Sequence, residues 1–372
     1  MRLGPACGCL SAALALGACA SGGEPETTPP PAAVAVVDES APAPAGPLHV
    51  VVYPRIGSLV DDQWGAIGPG VVLMNGGLTP TSAFPWMHDT VDPQRIAGDV
   101  IVLCTQGGDV YSAPIYAAAP FNSVQTVLVP PGAPASDIDQ VVTLLGAAEI
   151  VFLTDGDPAA YATWTGTPLG DAVHGVYNRG GVVAGSGAGA AALGAEVLTT
   201  HTDSATALAD PYADTITLIK GIFGLPLMSG TYVDLGLDSN DRFGVLAAMT
   251  ARTAADGLTG IAGSPAMGVG LDVNAALTFD RQGVVTLLTS ADASGSAWIV
   301  HGREVGQIER GQPLLWPAAP VTRFDTATES LTIISECGTA FAYDIAIDGA
   351  ASAPFTPADP YDAQGTANPC TL

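Results

Sequence analysis

From residue 48 onward, short apolar runs recur at 49–53, 70–75, 99–104, 124–129, 149–154 and 181–185, bounded by Gly, Pro or Asp. They are continuous rather than alternating, and mostly β-branched, which is the pattern of strands buried on both faces. The segments 136–147 and 159–178 between them are able to form helices. Strands alternating with helices predict an α/β fold, a three-layer sandwich with a mostly parallel central sheet. After residue 265 the rhythm changes. Runs at 267–272, 275–280, 283–288 and 296–300 crowd together, and Asp280-Arg281-Gln282-Gly283 reads as a hairpin turn, so antiparallel strands are expected there. Further runs at 320–324, 330–335 and 340–347 predict a C-terminal antiparallel β extension over 306–372, following an α/β domain over 48–305.

The first residues follow a different rule. Residues 1–18 hold one early arginine, Arg2, then a short apolar run from Leu10 to Leu16. Such a run is too short to span a bilayer and fits the core of a signal peptide. It ends in Leu16-Gly17-Ala18-Cys19, which resembles the lipobox of bacterial lipoproteins. Cleavage before Cys19 would leave a lipidated N-terminal cysteine, and lipid chains anchor by burying methylenes without a spanning helix. Residues 19–47 are rich in Pro and Ala and predict a semi-extended tether. The expected location is the bacterial cell envelope, lipid-anchored at the outer membrane, with secretion as the alternative. Export permits disulfides, and Cys337 with Cys370, both near the C-terminus, is the favoured pair. Cys104 ends an apolar run and reads as a small core residue.

Composition narrows the function classes. The 372 residues include 36 acidic and 11 basic side chains, for a formal net charge of −25. Lys220 is the only lysine. Nucleic-acid binding needs a basic face to neutralise phosphates, so it is excluded as an expectation. The 48% apolar fraction supplies a core and excludes a disordered chain. The 45 glycines and 30 prolines describe a loop-rich fold.

The segment 150–194 is the most informative. It contains Phe152, Asp155-Gly156-Asp157-Pro158, Gly166-Thr167-Pro168-Leu169, Tyr177-Asn178-Arg179-Gly180-Gly181 and Gly185-Ser186-Gly187-Ala188-Gly189-Ala190. In this order the pieces resemble the cyanophycinase family of serine peptidases, whose fold is of the class I glutamine-amidotransferase type. Val72-Leu73-Met74-Asn75-Gly76-Gly77 resembles that family's Gly-rich first strand end. The stretch from Gly224 to Gly244 resembles its histidine-bearing segment, and Met267-Gly268-Val269-Gly270-Leu271-Asp272 resembles its Gly-Ile-Gly-Ile-Asp-Glu strand. The resemblance implies a pocket around Gly76, Gly77, Asp155, Gly156, Asp157 and Ala188.

The same resemblance implies that the chemistry is missing. The family's nucleophilic serine is the third residue of the elbow, here Gly187. Its histidine aligns with Gly236, its late acidic residue with Val273, and the glutamine of its Gly-Gly-Asp-Gln turn with Pro158. Glycine adopts a strained elbow conformation without cost, so the turn can persist without the hydroxyl. The expectation is a catalytically inactive binding or scaffolding protein for a peptide-like or envelope ligand. It touches the membrane only through its lipid and uses no cofactor or metal. The alternative is an active hydrolase with a displaced nucleophile, Ser186, and His201 or His174 as base, with the amides of Gly187 and Ala188 as oxyanion donors. Ser186 stands at the end of a strand, where successive side chains alternate, and is expected to face away from the pocket. His201 reads as a solvated loop residue, His174 as a surface helix residue, and His49 and His301 as structural. His88 is a weaker candidate for lining a cleft. The Asp155/Asp157 pair and the Asp238/Asn240/Asp241 cluster lack a calcium-loop pattern and read as solvated loops.

Overall fold

The computed structural model describes residues 48–61, 68–92, 98–258, 265–290, 295–326, 329–333, 337–345 and 364–370. The expected signal peptide, Cys19 and the tether lie outside the described residues. The strands in chain order are β1 (Val51–Val52), β2 (Ile56–Gly57), β3 (Gly70–Asn75), β4 (Asp99–Cys104), β5 (Ser123–Leu128) and β6 (Ile150–Leu153). They continue with β7 (Val182–Ser186), β8 (Glu196–Leu198), β9 (Leu218–Lys220), β10 (Thr231–Leu235), β11 (Ala266–Leu271) and β12 (Ala275–Phe279). The last are β13 (Val285–Thr289), β14 (Ser296–Gly302), β15 (Trp316–Asp325), β16 (Ser330–Ile333), β17 (Gly338–Ile345) and β18 (Thr366–Asn368). The helices are α1 (Ala83–Val91), α2 (Ser112–Ala118), α3 (Ala135–Gly146), α4 (Pro158–Ala162), α5 (Pro168–Asn178), α6 (Ala188–Ala191), α7 (Ser204–Ala209) and α8 (Phe243–Ala255).

The centre of the first sheet is five parallel strands in the order β5-β4-β6-β7-β3. Beyond β3 the sheet continues antiparallel through β12, β13 and β16. Both faces are buried, which is why the runs read as continuous. Val71, Leu73, Ile101, Leu103, Val151 and Leu153 point to one face, with Val141 and Leu145 of α3 and Val173 and Val176 of α5. Their neighbours Val72, Met74, Val100, Val102 and Phe152 point to the other, against Phe84 and Met87 of α1 and Ile115 of α2. Strand side chains alternate, so each run supplies both cores at once. Helices on both faces of a mostly parallel sheet make the three-layer α/β sandwich.

A second sheet runs β18-β17-β15-β14-β11-β10-β8-β9. One of its faces joins the first core through Val233, Val269, Leu271 and Ile299. The other packs Trp298, Trp316 and Tyr343 against Leu246 and Met249 of α8.

Three expectations change. The run at 267–272 was expected to be antiparallel, yet β11 pairs parallel with β10 on one side and antiparallel with β14 on the other. An apolar run has no direction, so its sequence carried no sign of this. The helical stretch 159–178 is two helices, α4 and α5. Pro168 opens the second, and the hydroxyl of Thr167 caps it by accepting from the Gly170 amide at 3.3 Å. Strands β8, β9 and β10 were not anticipated, because they are short or carry a charge, such as Glu196 in β8 and Asp234 in β10. Residues on both sides of position 305 share each sheet, since β14 pairs with β15 and β13 with β16. Cys337 and Cys370 form a disulfide, with Cα atoms 4.7 Å apart, at the β17–β18 pairing.

Candidate functional site

Parallel strands from both sheets end at one place. Asn75 closes β3, Asp155 follows β6, Gly187 follows β7, Gly236 follows β10 and Val273 follows β11. A cleft of about 330 Å³ opens there, and all five residues line it. Ligands of α/β sheets bind at the carboxyl ends of the strands. Distant segments of the chain are thus brought together by strand direction alone.

At the elbow, Gly187 has φ of 55° and ψ of −127°, a backbone region that side chains resist. β7 arrives on one side of it and α6 leaves on the other. A side chain here would collide with Asp155: a Cβ built on Gly187 would overlap the Asp155 carboxylate and stand 2.8 Å from its Cβ. Asp155 Oδ1 accepts from the amides of Gly156 at 2.8 Å and Ala188 at 2.9 Å. The amide of Ala188, immediately after the elbow, would serve an oxyanion in the alternative of a displaced nucleophile. It is instead occupied by the protein's own carboxylate.

Across the cleft, Arg242 is locked to Asp234. Its Nε and Nη2 donate to the two carboxylate oxygens at 2.8 and 3.0 Å, and its Nη1 to the Thr202 carbonyl at 3.2 Å. Asp234 also accepts from the Leu235 amide and from the Tyr232 hydroxyl. Burial opposes the Arg242 charge, but the Asp234 carboxylate beside it outweighs that and raises its pKa. Burial, then Asp234, raises the Tyr232 phenol well above its ordinary range. This fork geometry suits Arg and carboxylate and leaves the pair neutral in sum. Gly236, at φ of 72°, turns the chain after β10. A Cβ there would be tight, at 3.0 Å from Asn240 Nδ2 and 3.2 Å from Ser239 Oγ.

Ser186 is fully buried, its Oγ has no hydrogen-bond partner, and it does not line the cleft. No histidine lines it either. His201 is exposed in the loop after β8. His174, expected at the surface, is half-buried, with Nδ1 2.6 Å from the Phe223 carbonyl oxygen, because the chain around Phe223 covers α5. His88, weighed for a cleft, is buried beside Phe121 with Nδ1 2.9 Å from Asp89. His49 contacts Asp137 at the surface, and His301 sits in β14, its pKa lowered by burial and by Arg303. Gly76, Gly77 and Asp157 differ from expectation, because the cleft is lined by their neighbours Asn75, Gly156 and Pro158 instead. The Asp157 carboxylate is turned to capping α4 through the Ala159 amide at 2.8 Å. Cys104 is a buried free thiol, pushed up to about 11 by burial and by Asp109.

Sequence reasoning did not single out Tyr232, Asp234 or Arg242 as site residues, quoted Asn75 only within a strand-end motif and read Asn240 only as part of a solvated loop. The signal available was Asp234 inside the short run Thr231–Leu235 with Arg242 eight residues further on, a charge pair that a core tolerates only when joined. Among the described residues, no group of three or more His, Cys, Asp or Glu could hold a metal ion.

No protein-family model matches the chain, and no curated protein sequence matches it. Solved structures similar to it include a peptidase from an acI-B1 Actinobacterium, 17% identical, with a TM-score of 0.41, covering 73% of this chain and 99% of that one. Another is a peptidase E-like protein from Listeria monocytogenes EGD-e, 10% identical, with a TM-score of 0.37, covering 59% of this chain and 98% of that one.

Proposed function

We propose that this chain is an exported, lipid-anchored binding or scaffolding protein of the bacterial cell envelope, with a cyanophycinase-type α/β fold and no hydrolytic centre. One observation carries the reading: the Asp155 carboxylate occupies the volume of an elbow side chain and takes up the Ala188 amide. A serine-type hydrolase needs a hydroxyl there, a base in reach and an open oxyanion site. The lining of the cleft offers none of the three, because position 187 is glycine, no histidine is present and the amide is filled. A displaced Ser186 gains no support, since its buried hydroxyl does not line the cleft. The cleft itself remains, and a peptide-like or envelope ligand is its proposed occupant. The membrane is met only through lipid on Cys19.

The test is labelling with a fluorophosphonate probe beside an active serine hydrolase as control. Wild type and Ser186→Ala are both expected to remain unlabelled. Labelling of the wild type that Ser186→Ala abolishes would establish a displaced nucleophile and end this reading.

A further inference from the structure

Among the described residues, the second sheet ends in β18 on one side and β9 on the other. An exposed edge strand is where a sheet frays or pairs with another chain. The disulfide ties down the β18 edge. At the β9 edge stands Lys220, the only lysine of the chain. It faces Glu196 of β8 across the antiparallel register. Its Nζ lies 3.7 Å from Glu196 Oε1 and 3.4 Å from Oδ2 of Asp256, the residue just past α8. The Tyr212 hydroxyl holds Asp256 from the other side, donating to its Oδ1 at 2.8 Å. Arg252 steadies Tyr212 in turn, with its guanidinium 4.6 Å from the centre of the phenol ring and its Nη1 donating to the Pro211 carbonyl at 3.0 Å.

Glu196 is the unusual member. Its side chain is fully buried, and its Oε1 has no hydrogen-bond partner. Its Oε2 shares the Thr253 hydroxyl with the Met249 carbonyl, at 3.0 and 2.8 Å. One hydroxyl hydrogen cannot serve both, so the Thr253 contact closes when Glu196 carries a proton. Burial raises the Glu196 pKa; Thr253 and Lys220 oppose it, and Asp256 adds to it. An ion pair alone would account for Lys220, but not for an acid buried beside it with an unpartnered oxygen. The cluster sets an amine, a carboxyl held by a phenol and a buried proton carrier side by side.

We infer that Lys220 and Asp256 become joined by an amide bond, which fastens the β9 edge covalently to the end of α8. The 3.4 Å between Nζ and Oδ2 sets the two groups at near-attack range. Nζ attacks Asp256 Cγ as a nucleophile. The N–Cγ bond forms, the Cγ–Oδ2 bond breaks, and Oδ1 stays as the amide oxygen on the Tyr212 hydroxyl. The two protons that the Lys220 ammonium gives up both end on Oδ2, which leaves as water. Glu196 takes a proton from the nitrogen side, passes one to the departing oxygen and is itself unchanged. Ammonium plus carboxylate become amide plus water, with no oxidant, reductant or co-reactant.

Because Lys220 is the only lysine, a lysine-specific endoproteinase reads the bond directly. The full chain, denatured and reduced, is expected to resist cutting, whereas a free ε-amine allows one cut. Lys220→Arg, a change at a half-exposed side chain, supplies the mass reference. The wild type should be lighter than this variant by the Lys-to-Arg difference plus one water. An arginine-specific digest of the wild type should contain one branched species joining the peptides 180–242 and 253–281. Asp256 precedes Gly257, so an internal succinimide would also lose one water. That loss would persist in Lys220→Arg and leave Lys220 open to cutting. Glu196→Gln is expected to show far less of the branched species. A wild type that is cut at Lys220, or a water loss that survives Lys220→Arg, overturns the inference. Branching at the wild-type level in Glu196→Gln overturns the proton-carrier step.

Discussion

Asp155 and Gly187 interlock at the ends of β6 and β7. The carboxylate of the first lies where any side chain on the second would have to stand, and it is held there by the amide of Ala188. The absence of a side chain at 187 and the presence of one at 155 are a single structural fact.

The interlock predicts a non-additive pair of substitutions. Gly187→Ala places a Cβ at positive φ and against Asp155, and is expected to lower stability by about 2–4 kcal/mol. Asp155→Gly removes the obstacle, so the double variant should lose less than the sum of the singles. Urea denaturation of the four proteins in a double-mutant cycle reads the coupling. Simple additivity would mean the two residues do not compete for space.

The Arg242–Asp234 pair predicts a large asymmetric effect. Arg242→Met leaves a carboxylate only 4% exposed without its cation and should cost about 3–5 kcal/mol. Adding Asp234→Asn removes the stranded charge, while its oxygen can still accept from the Leu235 amide. The double variant is therefore expected to be more stable than Arg242→Met alone. Equilibrium unfolding at neutral pH decides between these outcomes.

Asp272 predicts a pH dependence. Burial, and then the nearby Asp238, push its pKa from 3.8 up to about 6. Its Oδ2 accepts from the Ser296 amide while its Oδ1 is buried without a partner. The fold thus prefers the protonated acid. That contribution is fully present below the unfolded pKa of about 4 and is lost as pH rises through about 6. Asp272→Asn should flatten the stability profile across this window by up to about 3 kcal/mol. Denaturation midpoints measured through the window would show parallel wild-type and variant profiles if Asp272 has no such role.

The disulfide predicts a loss confined to one end of the second sheet. It joins Cys337, just before β17, to Cys370, just after β18, across 33 positions of sequence. Replacing both cysteines by serine should cost about 2–4 kcal/mol. Amide exchange of Thr366–Asn368 should accelerate more than exchange in β3–β7. Uniform acceleration would argue for a global effect instead.

Cys104 should be inert in the native protein. Its thiol is buried and its pKa is pushed up to about 11, so little thiolate exists at neutral pH. Iodoacetamide treatment followed by peptide mass spectrometry should find Cys104 alkylated only after denaturation.

Much of the first sheet was legible in the chain. The continuous runs at 70–75, 99–104, 124–129 and 149–154 are strands within a residue of those limits, because burial on both faces leaves no polar alternation to blur them. The second sheet was harder to read. Thr231–Leu235 carries Asp234, whose charge hides a strand until Arg242 is seen to neutralise it. At the site, the motif order marked Asp155, Gly156, Gly187, Ala188, Gly236 and Val273, and all of them line one cleft. Tyr232, Asp234 and Arg242 gave no sign of belonging there, since their role depends on strand ends that meet only after folding.

The amino-acid order by itself determined the α/β class, the strands of the parallel centre and the glycines at positions 187 and 236. Those properties are local: they follow from which residues occur and how apolar positions are spaced. Tertiary structure alone decided that β11 runs parallel to β10, that Arg242 is already neutralised and that Asp155 fills the place left by Gly187. The strand direction and the elbow contact depend on segments more than thirty residues apart, and the Arg242–Asp234 pair on the turn after β10, which no local apolar pattern encodes. Only with those contacts does a glycine at the end of β7 become an elbow filled by the Asp155 carboxylate.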